Sequence, residues 1–152
     1  MKKSLLTVAA AALLIGAHVQ AAESGLGSAK PGSYKVESYH TQVGFSISHF
    51  GFTNYSGLFS GAPGTLQLDP AKLGTAKLDI SIPVDSVMTT VSKLTDELKG
   101  DKWFDTAKFP KAAFVSTQVL PTAEGATVTG NLTLHGVTKP VVLHVQIGRA
   151  HV

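Results

Sequence analysis

The sequence predicts an all-β domain with a short helical insertion, arranged as an up-and-down antiparallel barrel. Three observations carry that expectation. From residue 38 onward apolar and polar side chains alternate with a period of two, the pattern of strands with one buried and one wet face. One stretch breaks the period, with Val91, Leu94 and Leu98 at helical spacing. About seven strand-like segments follow one another with that single interruption, the element list of a meander closing on itself and not of an alternating α/β sheet.

Along the chain, Val43, Phe45, Ile47 and His49 share one strand face, with Gly44, Ser46 and Ser48 on the other. Residues 58–68 are interrupted by Gly61, Pro63 and Gly64, with Gly57 just before them, which suits a strand pair or one sharply bent strand at a barrel corner. The clearest half-buried strand sets Ala76, Leu78, Ile80, Ile82 and Val84 against Lys77, Asp79 and Ser81. In the helical stretch Lys93, Asp96, Glu97 and Lys99 surround the polar side. Thr89, Thr90 or Ser92 is placed to cap its start and Gly100 to end it. Strand character returns over residues 111–120. In the last hairpin a turn at residues 136–139 is expected to set Leu134 opposite Val141, Leu132 opposite Leu143 and Gly130 opposite Val145. His144 then pairs with Asn131, and Gln146 with Thr129, on the other face. Pro140, lacking an N–H, starts the returning strand.

The N-terminus reads as an export signal over residues 1–21: Lys2 and Lys3, an apolar run over residues 5–15, then small residues suited to cleavage before Ala22. The run is shorter than the roughly 20 residues a membrane-spanning helix needs. Residues 22–33, rich in Gly, Ser and Ala, form a flexible lead-in, and the barrel occupies residues 34–146. Lys2 and Lys3 are two of the 13 basic residues that face 10 acidic ones, so the processed chain is nearly neutral. With no Lys/Arg block it lacks the electrostatic footprint of a nucleic-acid binder. The chain has no cysteine, which excludes disulfides, thiolate metal sites, a Cys nucleophile and a lipoprotein anchor.

Neither a nucleophile elbow, a P-loop, a dinucleotide fingerprint nor a zincin motif occurs, so no catalytic residue and no cofactor is assigned. His40, His49, His135, His144 and His151 show no ligand spacing, and no metal site is read from them. His49 closes an apolar stripe, where a polar group needs a partner: either backbone, or the polar head of a ligand at a cavity mouth. Trp103, Phe104, Phe109 and Phe114 read as core and lid packing, and Asp96, Glu97, Asp101 and Asp105 as a solvated face.

Several short motifs stand in a specific order: residues 40–45 (HTQVGF) with His49; Gly57-Leu58-Phe59; Ser86-Val87 with Thr89; Leu98 through Trp103-Phe104-Asp105; Phe109-Pro110 with Phe114 and Ser116; and residues 130–140 (GNLTLHGVTKP). Over residues 34–145 the chain thereby resembles the polyisoprenoid-binding YceI-like proteins, secreted bacterial proteins with a lipocalin-like barrel. The resemblance implies a periplasmic domain whose apolar interior holds a polyisoprenoid or other long-chain lipid, for transport or storage, without assigned catalysis. The interior positions are Val43, Phe45, Ile47, Leu78, Ile80, Ile82, Phe114, Leu132, Leu134, Leu143 and Val145. His49, Asn54, Tyr55 and Trp103 are candidates for the mouth and the lipid head group. Transient membrane contact and a homodimer are further associations this picture admits.

Two departures stand out. Glu97 occupies a position where many relatives carry histidine, so any role of that histidine does not transfer. The chain also stops where the family's barrel continues, so the barrel is expected to be incomplete, its last strands missing. Residues 147–152 (IGRAHV) are the in-frame translation of ATCGGAAGAGCACACGTC, the start of a common sequencing adapter, and are expected to be a non-native tail. Two rival functions stay open from the residues alone: an enzyme acting on such a lipid through His49 and a carboxylate, and a barrel filled by its own side chains that serves as a structural or stress-response partner.

Overall fold

The computed structural model describes residues 29–148. The expected signal peptide, the lead-in up to residue 28 and the last four residues of the tail lie outside the described residues.

Alternating side chains become two antiparallel sheets. The elements are β1 (Gly32–Val36), β2 (Gln42–His49), β3 (Thr53–Ser60), β4 (Gly64–Leu68), β5 (Lys77–Pro83), β6 (Met88–Thr89), α1 (Ser92–Lys99), β7 (Lys111–Pro121), β8 (Gly125–Leu134) and β9 (Val137–Gln146). The larger sheet runs β1-β4-β5-β7-β8-β9 and the smaller one β2-β3-β6. The domain is all-β with one short α-helix, as the periodicity implies, and among the described residues the two sheets do not close into a barrel. Strand structure begins at Gly32, two residues ahead of the expected start, where β1 pairs with β4.

The interrupted stretch between Gly57 and Leu68 is a corner at which the chain changes sheets. Gly61 turns it with a φ of +69°, and Ala62 is wholly buried beneath it. Ser60 N–H donates to Ser86 Oγ at 3.0 Å, and that hydroxyl donates to Pro83 O at 2.6 Å. One serine thus ties the corner to the short 3-10 turn Val84–Ser86 that follows β5. In β7 a bulge falls between Ser116 and Gln118. On the β5 side of the same strand, just beyond the last β5–β7 pair, Asp79 with Val115, Ser116 Oγ accepts the Leu78 N–H at 2.8 Å.

The β8–β9 hairpin corrects the expected register. Its turn is His135-Gly136, both left-handed at φ +51° and +73°, the conformation of a two-residue type I′ turn, whose twist matches that of the flanking strands. Leu134 therefore pairs with Val137, displaced by four residues from Val141, while Gly130 meets Val141, Val128 meets Leu143 and Ala126 meets Val145. An even displacement leaves every side chain on its expected face. His144, now opposite Thr127, remains across the sheet from the apolar set.

Helix α1 has no side-chain cap at its start, contrary to the expected threonine or serine cap. Thr89 Oγ1 instead accepts the Val91 N–H at 3.2 Å, and Thr95 Oγ1 accepts the Thr89 N–H at 3.0 Å, so the helix is fastened to β6. At the other end Gly100 N–H donates to Glu97 O at 3.0 Å. The core forms two clusters. Phe59, Ala62, Ile82, Val84, Val87, Leu98 and Ala112 meet where α1 and the two sheets converge, and Phe114, Val119 and Val128 pack on the larger sheet. Ile80 touches both.

Between β1 and β2 the Glu37 carboxylate accepts the N–H groups of Tyr39 at 2.6 Å and His40 at 3.0 Å, and lies 2.7 Å from His40 Nδ1. The Tyr39 amide first, and the His40 side chain second, hold its pKa below the ordinary glutamate value. A carboxylate with a depressed folded-state pKa supports its loop above the unfolded value and ceases to do so as pH falls through the folded one. The Tyr39 and His40 amide NMR signals should therefore shift together on acidification, with a midpoint below that of an ordinary glutamate, and Glu37→Gln should abolish the step. A midpoint at or above the ordinary value would contradict this arrangement.

Candidate functional site

The β2–β3 hairpin builds one wall of a cleft. Phe45 pairs across the strands with Gly57, Ile47 with Tyr55 and His49 with Thr53, so these side chains share a face. Glycine at position 57 has a steric reason: a Cβ there would lie 2.8 Å from Phe45 Cε1 and 2.9 Å from the Met88 carbonyl oxygen. The Phe45 ring lies across the bare backbone and continues into an aromatic triangle with Phe59 at 5.4 Å and Phe104 at 6.3 Å, Phe59 and Phe104 being 5.4 Å apart. Phe45 is the ring of this triangle that lines the cleft.

The opposite wall comes from β6, α1 and the segment after it. Together they enclose about 490 Å³, lined by Phe45, Ile47, His49, Phe50, Tyr55, Ser56, Thr89, Val91, Leu94, Glu97, Leu98 and Trp103. That volume falls within the roughly 300–1,000 Å³ usual for small-molecule sites. Most of the wall is aliphatic or aromatic. Leu98 is buried, whereas Ile47, Tyr55, Val91 and Trp103 are each 45–49% exposed, an apolar surface without a partner among the described residues. Polar groups are few. The His49 ring stands edge-on to Phe50 at 4.5 Å and to Tyr55 at 5.2 Å, and Glu97 contributes a carboxylate. Among the described residues no group of His, Cys, Asp and Glu is arranged to hold a metal ion.

A second recess, of about 310 Å³, opens on the larger sheet between Leu66, Leu68, Leu73, Ala76, Leu78, Val119, Gly125, Ala126, Val128, Val145 and Ile147. Its lining carries almost no polar surface.

The structure brings together five of the residues singled out from the sequence, Phe45, Ile47, His49, Tyr55 and Trp103, in the first cleft, and two, Leu78 and Val145, in the second recess. The others lie elsewhere. Val43 and Leu134 pack against the first core cluster, Leu132 against the second, and Ile80 against both. Ile82 and Phe114 are core residues, 8% and 4% exposed. Leu143 is 38% exposed on β9, the outermost strand of its sheet among the described residues. Asn54 pairs with Ser48, one position out of phase with the cleft face. Sequence reasoning passed over Phe50, Val91, Leu94, Glu97 and Leu98 as cleft residues. The apolar stripe of α1 was visible as a signal, but a stripe does not say whether it covers a solid core or a recess. Leu66 and Leu68, alternating with Thr65 and Gln67, carried an equally plain strand signal for the second recess.

Comparison with known proteins agrees with this architecture. The YceI-like domain pattern matches residues 34–152. The chain is 34% identical over 149 residues to a UPF0312 protein of Photorhabdus laumondii, covering 97% of this chain and 73% of the relative. It is 36% identical over 149 residues to protein YceI of Escherichia coli, with the same coverage. Among solved structures, BcnA of Burkholderia cenocepacia superposes with a TM-score of 0.64 at 26% identity, over 72% of this chain and 70% of that one. On the matched span, the level of identity and the shared fold, the chain belongs to the YceI-like domain family.

Proposed function

We propose that this protein binds a long-chain isoprenoid or related amphiphilic lipid without transforming it, and that it carries or stores that lipid in the periplasm. The hydrocarbon chain lies in the cleft between the β2–β3 hairpin and α1, and the polar head lies near His49. The observation that carries this reading is the cleft itself, an apolar recess of about 490 Å³ with four large side chains left half-exposed on its walls. Each methylene a guest buries there contributes about 0.8 kcal/mol before ordering and association costs, so a long chain needs no extended polar network to be held. His49 is suited to the head group because it ends the apolar stripe and carries a ring nitrogen able to donate or accept. Export is supported by the pattern of residues 1–21, and a lipid crossing water between two membranes needs such a carrier.

Trp103, the chain's one tryptophan, stands 49% exposed on the cleft wall and reports occupancy directly. On titration with a long-chain polyprenyl amphiphile its emission should shift to the blue and saturate at one ligand per chain, and a short prenyl alcohol should bind at least tenfold more weakly. An emission maximum that stays fixed, or one that drifts without saturating, would count against a lipid in this cleft.

A further inference from the structure

The tip of the β2–β3 hairpin carries two phenylalanines in water. Phe50 is 84% exposed and Phe52 is 90% exposed, on either side of Gly51, in a tight turn closed by the Phe52 N–H donating to His49 O at 3.1 Å. Phe50 holds its ring out at the cost of a left-handed backbone, φ +54°, a region a bulky side chain seldom occupies. We propose that this tip is a bilayer-docking element, which places Phe50 and Phe52 among lipid headgroups and upper acyl chains.

The chemistry of the whole hairpin favours lipid. Residues 42–60 contain no Lys, Arg, Asp or Glu, although 15% of the chain is charged. No charge need therefore be taken out of water as the tip enters the interface. Tyr55 and His49, with apolar bodies and polar ends, flank the tip where headgroups would meet it. β2 is an outer strand of its sheet among the described residues, with one side of its backbone unpaired, which limits entry to the turn itself. Phe50, His49 and Tyr55 also line the cleft, so its mouth opens beside the docking tip. A groove on a protein partner or a second copy of the chain would also cover two rings, but residues 42–60 bring no charged group with which such an interface is steered and fixed in register. Docking does not require the cleft to hold a lipid, and the test reads docking alone.

The absence of cysteine makes a single label specific. With a polarity-sensitive dye on Asn54→Cys in the full chain, out of phase with the cleft face, vesicles of phosphatidylethanolamine and phosphatidylglycerol should raise the emission at least threefold, in low and high salt alike. The same dye on Lys77→Cys should not respond. Adding Phe50→Asn, which suits the left-handed turn, and Phe52→Ser should cut the response at least tenfold while leaving the thermal unfolding curve in place. An absent response, one abolished by salt, or one that survives both substitutions would overturn the proposal. So would a wild-type dimer that the two substitutions convert to a monomer, since a second copy would then be what covers the tip.

Discussion

Replacing Phe114 with alanine should lower the free energy of unfolding by about 3–5 kcal/mol, the usual cost of truncating a fully buried phenylalanine. Phe114 is 4% exposed and, with Val119 and Val128, forms the core of the larger sheet. Its ring also fills the space over Gly130, where a Cβ would lie 2.7 Å from Phe114 Cε2 and 2.6 Å from the Val115 carbonyl oxygen. Removing the ring leaves a hole that its neighbours cannot readily close, because Gly130 beneath it has no side chain to lend and Ile80, paired directly with Phe114, is already engaged with both core clusters. Against a total stability of about 5–15 kcal/mol the loss is large. Urea unfolding should show a lower midpoint at an unchanged slope. A loss below about 1 kcal/mol would mean that the two clusters do not hold the sheet as described.

Ile47→Glu should weaken binding of a long-chain lipid by about a hundredfold, or ~2.7 kcal/mol, since a carboxylate in the cleft wall must be stripped of water by an apolar guest. Ile47 is 48% exposed in the free protein, so the substitution should scarcely affect folding. Val115→Glu is the matched control. That residue is 47% exposed and neighbours Phe114 on the opposite face of β7, and its change should leave affinity within twofold. Equal loss from both variants would indicate a general effect of charge and not a site.

The strands themselves were legible in the sequence because alternation is imposed by burial of one face, and that constraint is written residue by residue, as in Leu78, Ile80 and Ile82 against Lys77 and Asp79. The last hairpin shows the limit. Periodicity fixed which side chains share a face but was indifferent to an even displacement, and the deciding fact, the left-handed pair His135-Gly136, is conformational. The corner at Gly61 and Ala62 was visible as an interruption, while the change of sheet it accomplishes depends on the Ser60–Ser86 contact, some 26 residues apart in sequence. For the site, alternation gathered Phe45, Ile47 and His49 correctly on one face. It placed Ile82 and Phe114 in the same category, because a side chain that points inward to packed neighbours and one that points inward to empty space have identical patterns. The helix and the residue before it bring Val91, Leu94 and Leu98 to the cleft, and their stripe reads equally well as core.

Native mass spectrometry of the protein recovered from the cells that make it tests the carrier reading most directly. The account predicts a species one intact long-chain lipid heavier than the chain, with that adduct lost in Ile47→Glu and retained in Val115→Glu. Recovery of the chain with no lipid, even after a long-chain polyprenyl amphiphile is supplied, or with a lipid chemically altered from the one supplied, would contradict it.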